Sequence, residues 1–161
     1  MFVVKWFVVV LLMVALAAIA VGQAGMLKGR APTNLGVHDG RLLPPSTTPN
    51  SVSSQAVLYP DHTMRAYASV EPYKLKGTGR ATIARIRGIV EDMGGEVVKN
   101  EPDYLYVQFT TPVMKFVDDA EFWFNPAAGA IEVRSASRLG SKDFGVNRGR
   151  VEAIRRRLAG L

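Results

Sequence analysis

Residues 104–138 leave little choice of architecture. Along 104–110 Leu105, Val107 and Phe109 alternate with Tyr104, Tyr106 and Gln108. That period of two sends successive side chains to opposite faces of a strand. Residues 115–125 and 130–138 keep the strand pattern on either side of Pro126-Ala127-Ala128-Gly129, a turn-forming cluster that makes the two runs a hairpin. Sorted by face, Phe116, Asp118, Ala120, Phe122 and Phe124 stand together on the first arm, and Ile131, Val133, Ser135 and Ser137 on the second. If Phe124 pairs with Ile131, Phe122 meets Val133, Ala120 meets Ser135 and Asp118 meets Ser137. The inner face is then apolar near the turn and polar at its far end. On the outer face Glu121 meets Arg134, with Asp119 and Arg138 as diagonal or near neighbours. Opposite charges across a strand pair contribute about 0.2–1 kcal/mol and discourage edge-to-edge pairing, so the outer set reads as structural.

The hairpin is flanked by two helical patterns. Ile83, Ile86, Val90 and Met93 recur at three- and four-residue steps after Thr78-Gly79 and before Gly94-Gly95, one apolar stripe with a start and a stop. Residues 147–158 carry Val151, Ile154 and Leu158 as a second stripe, with Arg148, Arg150, Arg155, Arg156 and Arg157 along the same helix. Those arginines read as a solvated face, with contact to anionic lipid as the alternative. A first strand starts at 96–99, and residues 65–73 form a candidate strand that Pro72 pushes to an edge. Helix, antiparallel strands, helix implies an α+β fold. The expected form is a small two-layer domain, an antiparallel β-meander with two main helices on one face.

An apolar run over residues 6–22 precedes the domain, behind a single Lys5 and ahead of Lys28 and Arg30. It is long for a secretory signal and short for a membrane span, which needs about 20 residues. Residues 1–24 are therefore a membrane anchor or a cleaved signal, and either outcome puts the rest at or beyond a membrane, expected on the periplasmic side. Residues 25–63 are rich in Pro, Gly, Ser, Thr and Asn, as a linker or an ordered strap would be. Residues 64–161 are the α+β domain. The net charge of +6 does not mark a nucleic-acid binder. Three basic and no acidic residues lie in the first thirty positions, leaving 17 basic against 14 acidic side chains elsewhere. The absence of cysteine excludes disulfides and thiol chemistry.

The polar end of the inner face is the candidate site. Asp118 at a core-facing position needs a hydrogen-bonding partner or solvent, and Ser135 and Ser137 lie beside it. The loop over 139–146 returns Asp143, Asn147 and Arg148 to that end, and Arg138 adds charge. One reading is a buried polar network in which Asp143 or Asn147 caps the last helix. The other is a pocket for a small polar or anionic ligand, using the arginines and the helix N-terminus.

Asn34-Leu35-Gly36, the segment Pro49-Asn50-Ser51-Val52-Ser53-Ser54-Gln55, residues 116–122, and the string Arg134-Ser135-Ala136-Ser137-Arg138-Leu139-Gly140 through Asp143-Phe144-Gly145-Val146-Asn147-Arg148 resemble the domain-of-unknown-function (DUF) 1499 family over roughly residues 33–158. The resemblance implies a bacterial or plastid protein, often exported or membrane-attached, with no established activity, and it favours the ordered strap. It also implies two cysteines that this chain lacks; Pro45 and Ser51 stand in their places.

No catalytic signature accompanies these residues. His38 and His62 are the only histidines and have no ligand spacing; Asp118, Asp119 and Glu121 cannot converge on a cation along one strand without a bulge. No nucleophile elbow, phosphate loop or dinucleotide fingerprint occurs. No cofactor or metal is expected. The chain reads as a membrane-tethered or exported accessory or binding domain, partnered by the membrane through residues 1–24 and by a protein or small polar ligand. The alternatives are a carboxylate-using hydrolase with Asp118 as general base, and a peripheral lipid-interacting domain.

Overall fold

The computed structural model describes residues 2–160. Helix α1 (Phe2–Gln23) leads into a strap over residues 24–50, then β1 (Ser51–Ser53), one 3-10 turn (Ala56–Leu58), α2 (Arg65–Ala68), β2 (Tyr73–Lys74), α3 (Gly79–Asp92), β3 (Glu96–Asn100), β4 (Tyr104–Thr110), β5 (Val117–Asn125), β6 (Ala130–Ser137) and α4 (Val146–Ala159). All six strands form one antiparallel sheet in the order β1-β6-β5-β4-β3, and β2 pairs with the end of β6 that β1 leaves free.

The hairpin register is the expected one: Phe124 opposes Ile131, Phe122 opposes Val133, Ala120 opposes Ser135 and Asp118 opposes Ser137. Alternation and the turn at 126–129 set it together, because a slip of one residue would turn Phe122 and Val133 out of the core and the turn length excludes a slip of two. Ile83, Ile86 and Val90 of α3 and Val151, Ile154 and Leu158 of α4 cover that face and close the main core. Thr78 caps α3 by accepting from the amide of Ala81 at 3.2 Å. Gly79 is required there, since a Cβ would come within 2.3 Å of the Phe124 ring. The helix can cross the end of β5 only without a side chain at that position.

One expectation changes. Residues 65–73 do not form a strand. Their first part is the short helix α2, Ser69 makes an isolated bridge to Ser53, and strand pairing begins only at Tyr73. The outer face of the sheet is not left to solvent. The strap lies across it, with Leu42 buried against Tyr104 and Tyr106 and with Leu35, Val37 and Trp123 around them. The domain is therefore layered as helices, sheet and strap. Within residues 25–63, Leu35, Gly36, Val37 and Leu42 contact the sheet.

Helix α1 stands apart from both cores. Its stretch Val4–Gln23 has a mean hydropathy of 2.7, and within it only Gly22, at its foot, is buried. At 1.5 Å per residue, 20 residues span about 30 Å, long and apolar enough to cross a bilayer, a property shared with signal sequences. Its foot touches the domain. Gln23 donates to the carbonyls of Pro112 and Val113 at 3.2 and 2.8 Å.

Candidate functional site

The expected polar cluster exists, and its centre is Asn147. Asn147 is the second residue of α4, on the same stripe as Val151, Ile154 and Leu158, so its amide points at the sheet where β5 and β6 turn polar. Its Oδ1 accepts from the Ser135 hydroxyl at 2.6 Å and from Arg150 Nη1 at 2.8 Å. Its Nδ2 faces Ser137 Oγ, Asp143 Oδ2 and the Asn50 carbonyl at 3.0, 2.9 and 3.1 Å. Arg150 continues to Asp118, with Nη2 at 2.6 Å from Oδ2, in an ion pair whose side chains are almost wholly buried. Its guanidinium also lies over the Phe109 ring, 4.4 Å from the centroid.

Asp143 caps α4. Its carboxylate accepts from the amides of Asn147 and Gly145, each at 3.0 Å, and from the Tyr67 hydroxyl at 2.5 Å. Burial alone would raise its pKa, but these donors outweigh burial and hold the carboxyl below the usual aspartate range. The same bond raises the Tyr67 phenol.

Two of the expected members belong elsewhere. Arg138 follows Ser137 directly, so alternation turns it to the other face. There it grips Asp119 with two bonds of 2.8 and 2.7 Å, and Tyr106 joins them by donating to Asp119 at 2.5 Å. The bond to Asp119 raises the Arg138 pKa and fixes its charge. Arg148 lies about 100° around the helix from Asn147 and donates to the carbonyls of Ser69 and Tyr67. It thereby ties α4 to the segment after α2 and does not meet Asp118.

Arg150 takes the role assigned to Arg148. The helical period gave the signal, because residues three apart share a face and Asn147 and Arg150 are three apart. Tyr67 and Asn50 were missed for another reason. Tyr67 sits in a segment that reads as a strand. Asn50 acts through its backbone carbonyl, which also receives the Ser137 amide at 3.0 Å.

The outer face holds a second buried set. Glu121 is fully enclosed by the strap, and its Oε1 accepts from the Gly36 amide and the Tyr104 hydroxyl, both at 2.8 Å. Arg134 stands 3.7 Å from Oε2, an atom with no hydrogen-bond donor. Burial pushes the Glu121 carboxyl up and the Arg134 guanidinium down. Both shifts favour the neutral forms, so desolvation exceeds the attraction across this long pair.

A folded-state pKa above the unfolded value means the folded chain holds its proton more tightly. The Glu121 contribution is therefore complete below the ordinary glutamate value of 4.5 and declines as pH rises through the raised one. Asp143 acts oppositely. Its contribution is present above 3.8 and is lost as pH falls through its lowered value. Glu121→Gln, which keeps the acceptor for Gly36 and Tyr104, is expected to flatten the decline in unfolding free energy above pH 4.5, measured by denaturant titration at stepped pH. An unchanged slope would place the titration on another group.

The strap's motif residues act as fasteners. Ser51 Oγ accepts from the Ser46 amide at 2.8 Å, Ser54 Oγ donates to Glu132 at 2.6 Å, and Gln55 Oε1 accepts from the Leu42 amide at 2.7 Å. Where the resemblance implies cysteines, this chain closes the loop with the Ser51 hydroxyl instead. Among the described residues no three His, Cys, Asp or Glu side chains converge as a metal site would need.

Beside the Asn147 cluster a cleft of about 300 Å³ opens between Phe116, Leu139, Phe144 and Val146, with Asp118 and Ser137 at its base. A hollow of about 930 Å³ lies at the opposite end of the sheet beside Tyr73 and Arg155 and includes none of the candidate residues. It is bounded by the 128–130 turn and the end of α4, remote from the polar chemistry.

The family model described as "Protein of unknown function (DUF1499)" matches residues 41–158, a span that takes in the segments 49–55, 116–122 and 134–148 and every residue of the Asn147 cluster and begins after Asn34-Leu35-Gly36. No curated protein and no solved structure matches the chain. With most of its length, and the whole sheet-and-helix body, inside that match, the chain belongs to the DUF1499 family.

Proposed function

We propose that this protein is a membrane-tethered accessory domain on the exported, periplasmic side, and that its motif residues serve as a frame. The observation that carries this reading is that the ionic groups of the cluster are already engaged. Asp118 has Arg150, Asp143 has Tyr67 and two backbone amides, and Arg148 has two carbonyls. A general base needs a lone pair within about 2.6–3.2 Å of the proton it removes, and Asp118 holds Arg150 at that distance instead. An anionic ligand would have to displace carboxylates from the guanidinium groups it needs. The cluster thus joins four segments: the strap at Asn50, the sheet at Ser135, the loop at Asp143 and α4 at Asn147.

The anchor is α1, apolar without a break over residues 6–22 and with its side chains outside both cores. A C-terminally tagged full chain is expected to stay with membranes through alkaline carbonate extraction and to retain residues 1–24 by intact mass. A soluble product shorter by about two dozen residues would mean signal cleavage and would end the tether reading. Orientation is read on the same chain carrying Ala128→Cys, since no native thiol competes. A membrane-impermeant maleimide should label it in intact cells, and labelling only after lysis would put the domain on the cytoplasmic side.

A further inference from the structure

Outside α1, nine large hydrophobic side chains are exposed among the described residues, and six of them collect at one end: Met26, Val113, Phe116, Leu139, Phe144 and Val146. Val57, Leu58 and Val98 are scattered elsewhere. Isolated exposed apolar residues need no explanation, whereas a contiguous group does. This end is where α1 emerges. Gln23 is bonded to the 112–113 carbonyls, and at Gly22 a Cβ would lie 2.9 Å from the Met114 backbone. After the helix the chain passes so close to the 138–139 segment that a Cβ on Gly29 would lie 2.8 Å from that of Arg138. Phe116, Leu139, Phe144 and Val146 then rim the cleft beside them.

Phe144 is the most telling of the group. It is 93% exposed and holds φ at +53°, a conformation that is an outlier for a bulky residue. The turn is held by Asp143, whose carboxylate receives the Gly145 amide and the Tyr67 hydroxyl. Strain and frame together hold an aromatic ring away from the fold. The charge around it has one sign. Lys28, Lys115 and Lys142 lie in the three segments that meet here, 24–33, 111–116 and 139–146, and their single acidic residue is the buried Asp143.

We propose that this end docks on the bilayer leaflet from which α1 emerges, with Phe144 and its apolar neighbours in the interfacial region and the lysines on anionic headgroups. The proposal rests on the tether reading: a helix that spans about 30 Å brings its foot, and the collar bonded to it, to the lipid surface. Aromatic side chains and lysines are favoured at that depth. The domain is thereby clamped flat on the membrane, its β5–β6 turn pointing away. Helix α4 starts in the docked collar at Val146 and runs toward that turn, so its exposed Arg156 and Arg157 lie away from the lipid.

The test uses the full chain in phosphatidylcholine–phosphatidylglycerol vesicles, with single cysteines carrying a polarity-sensitive fluorophore. Phe144→Cys is expected to be quenched several-fold more by a lipid spin-labelled near the headgroup than Ala128→Cys at the far turn. Equal quenching at the two positions would overturn the docking. Met13→Cys, in the middle of α1, separates the two readings. Quenching at 13 by a mid-bilayer label without quenching at 144 leaves the tether standing and removes the docking; no quenching at 13 removes both.

Phe144→Gly supplies a second readout, because glycine accepts the positive φ without cost. It should raise the midpoint of unfolding while weakening quenching at a Leu139→Cys label. A lowered midpoint would mean that Phe144 serves the fold and would sink the proposal.

Discussion

Arg150→Ala lowers the unfolding free energy by roughly 3–5 kcal/mol, the cost of leaving a buried carboxylate without its partner. Asp118 is enclosed by β5, β6 and α4, and among the described residues Arg150 is its one ion-pair partner, at 2.6 Å. The same guanidinium supports Asn147 and Ser135 and covers Phe109, so its loss also loosens the N-terminal turn of α4. Arg148→Ala should cost less, about 1–2 kcal/mol, because the two carbonyls it serves lie where water can replace it. The contrast is measured by denaturant titration of the full chain in detergent. The combined change Asp118→Asn with Arg150→Met should recover much of the loss, since buried pairs are often replaceable by uncharged groups. If Arg150→Ala and Arg148→Ala cost the same, the Asp118–Arg150 pair does not organise this end of the domain.

Leu42→Ala is expected to cost about 2–5 kcal/mol, the range for truncating a fully buried leucine, and to open the strap before the sheet. Leu42 is the apolar anchor that presses residues 35–44 onto Tyr104 and Tyr106. Its backbone amide is held by Gln55 at 2.7 Å and its carbonyl by the Tyr59 hydroxyl at 3.2 Å. Hydrogen exchange should therefore quicken at the amides of Gly36 and Leu42, while the ladder between β4 and β5 stays protected. Glu121, released to solvent, would then lose its upward pKa displacement. Uniform acceleration through the sheet would show strap and sheet opening together as one unit. No acceleration at either amide would mean that the strap is held by something other than Leu42.

The sheet was legible in the sequence because its signal is local. Strict alternation over 104–110 and 117–137, interrupted by one turn cluster, fixes both pairing and face, and the observed register follows residue by residue. The caps of α3 and α4 were legible for the same reason: Thr78 and Asp143 are short acceptors placed just ahead of an apolar stripe. What escaped depends on distance along the chain. Asp119, Glu121 and Arg134 have the appearance of a solvent face, since polar residues at alternating positions are what an exposed face requires. Only a strap from far upstream, such as Gly36 reaching Glu121 across 85 residues, encloses them. The exchange of Arg148 for Arg150 was a matter of helical phase. Arg148 is adjacent to Asn147 in sequence but not on its face, and the stripe of Val151, Ile154 and Leu158 already pointed to the other arginine.

Asp118 and Asp119 are consecutive, yet one is clasped by Arg150 from above the sheet and the other by Arg138 from below. Shifting β5 by a single position would bring one of the two acids to the other's guanidinium and Val117 or Ala120 to the second, leaving one arginine and one acid without a partner. Neither neighbouring layer can be threaded wrongly without the other reporting the error, so this one dipeptide works as the keyway that admits a single assembly of the domain.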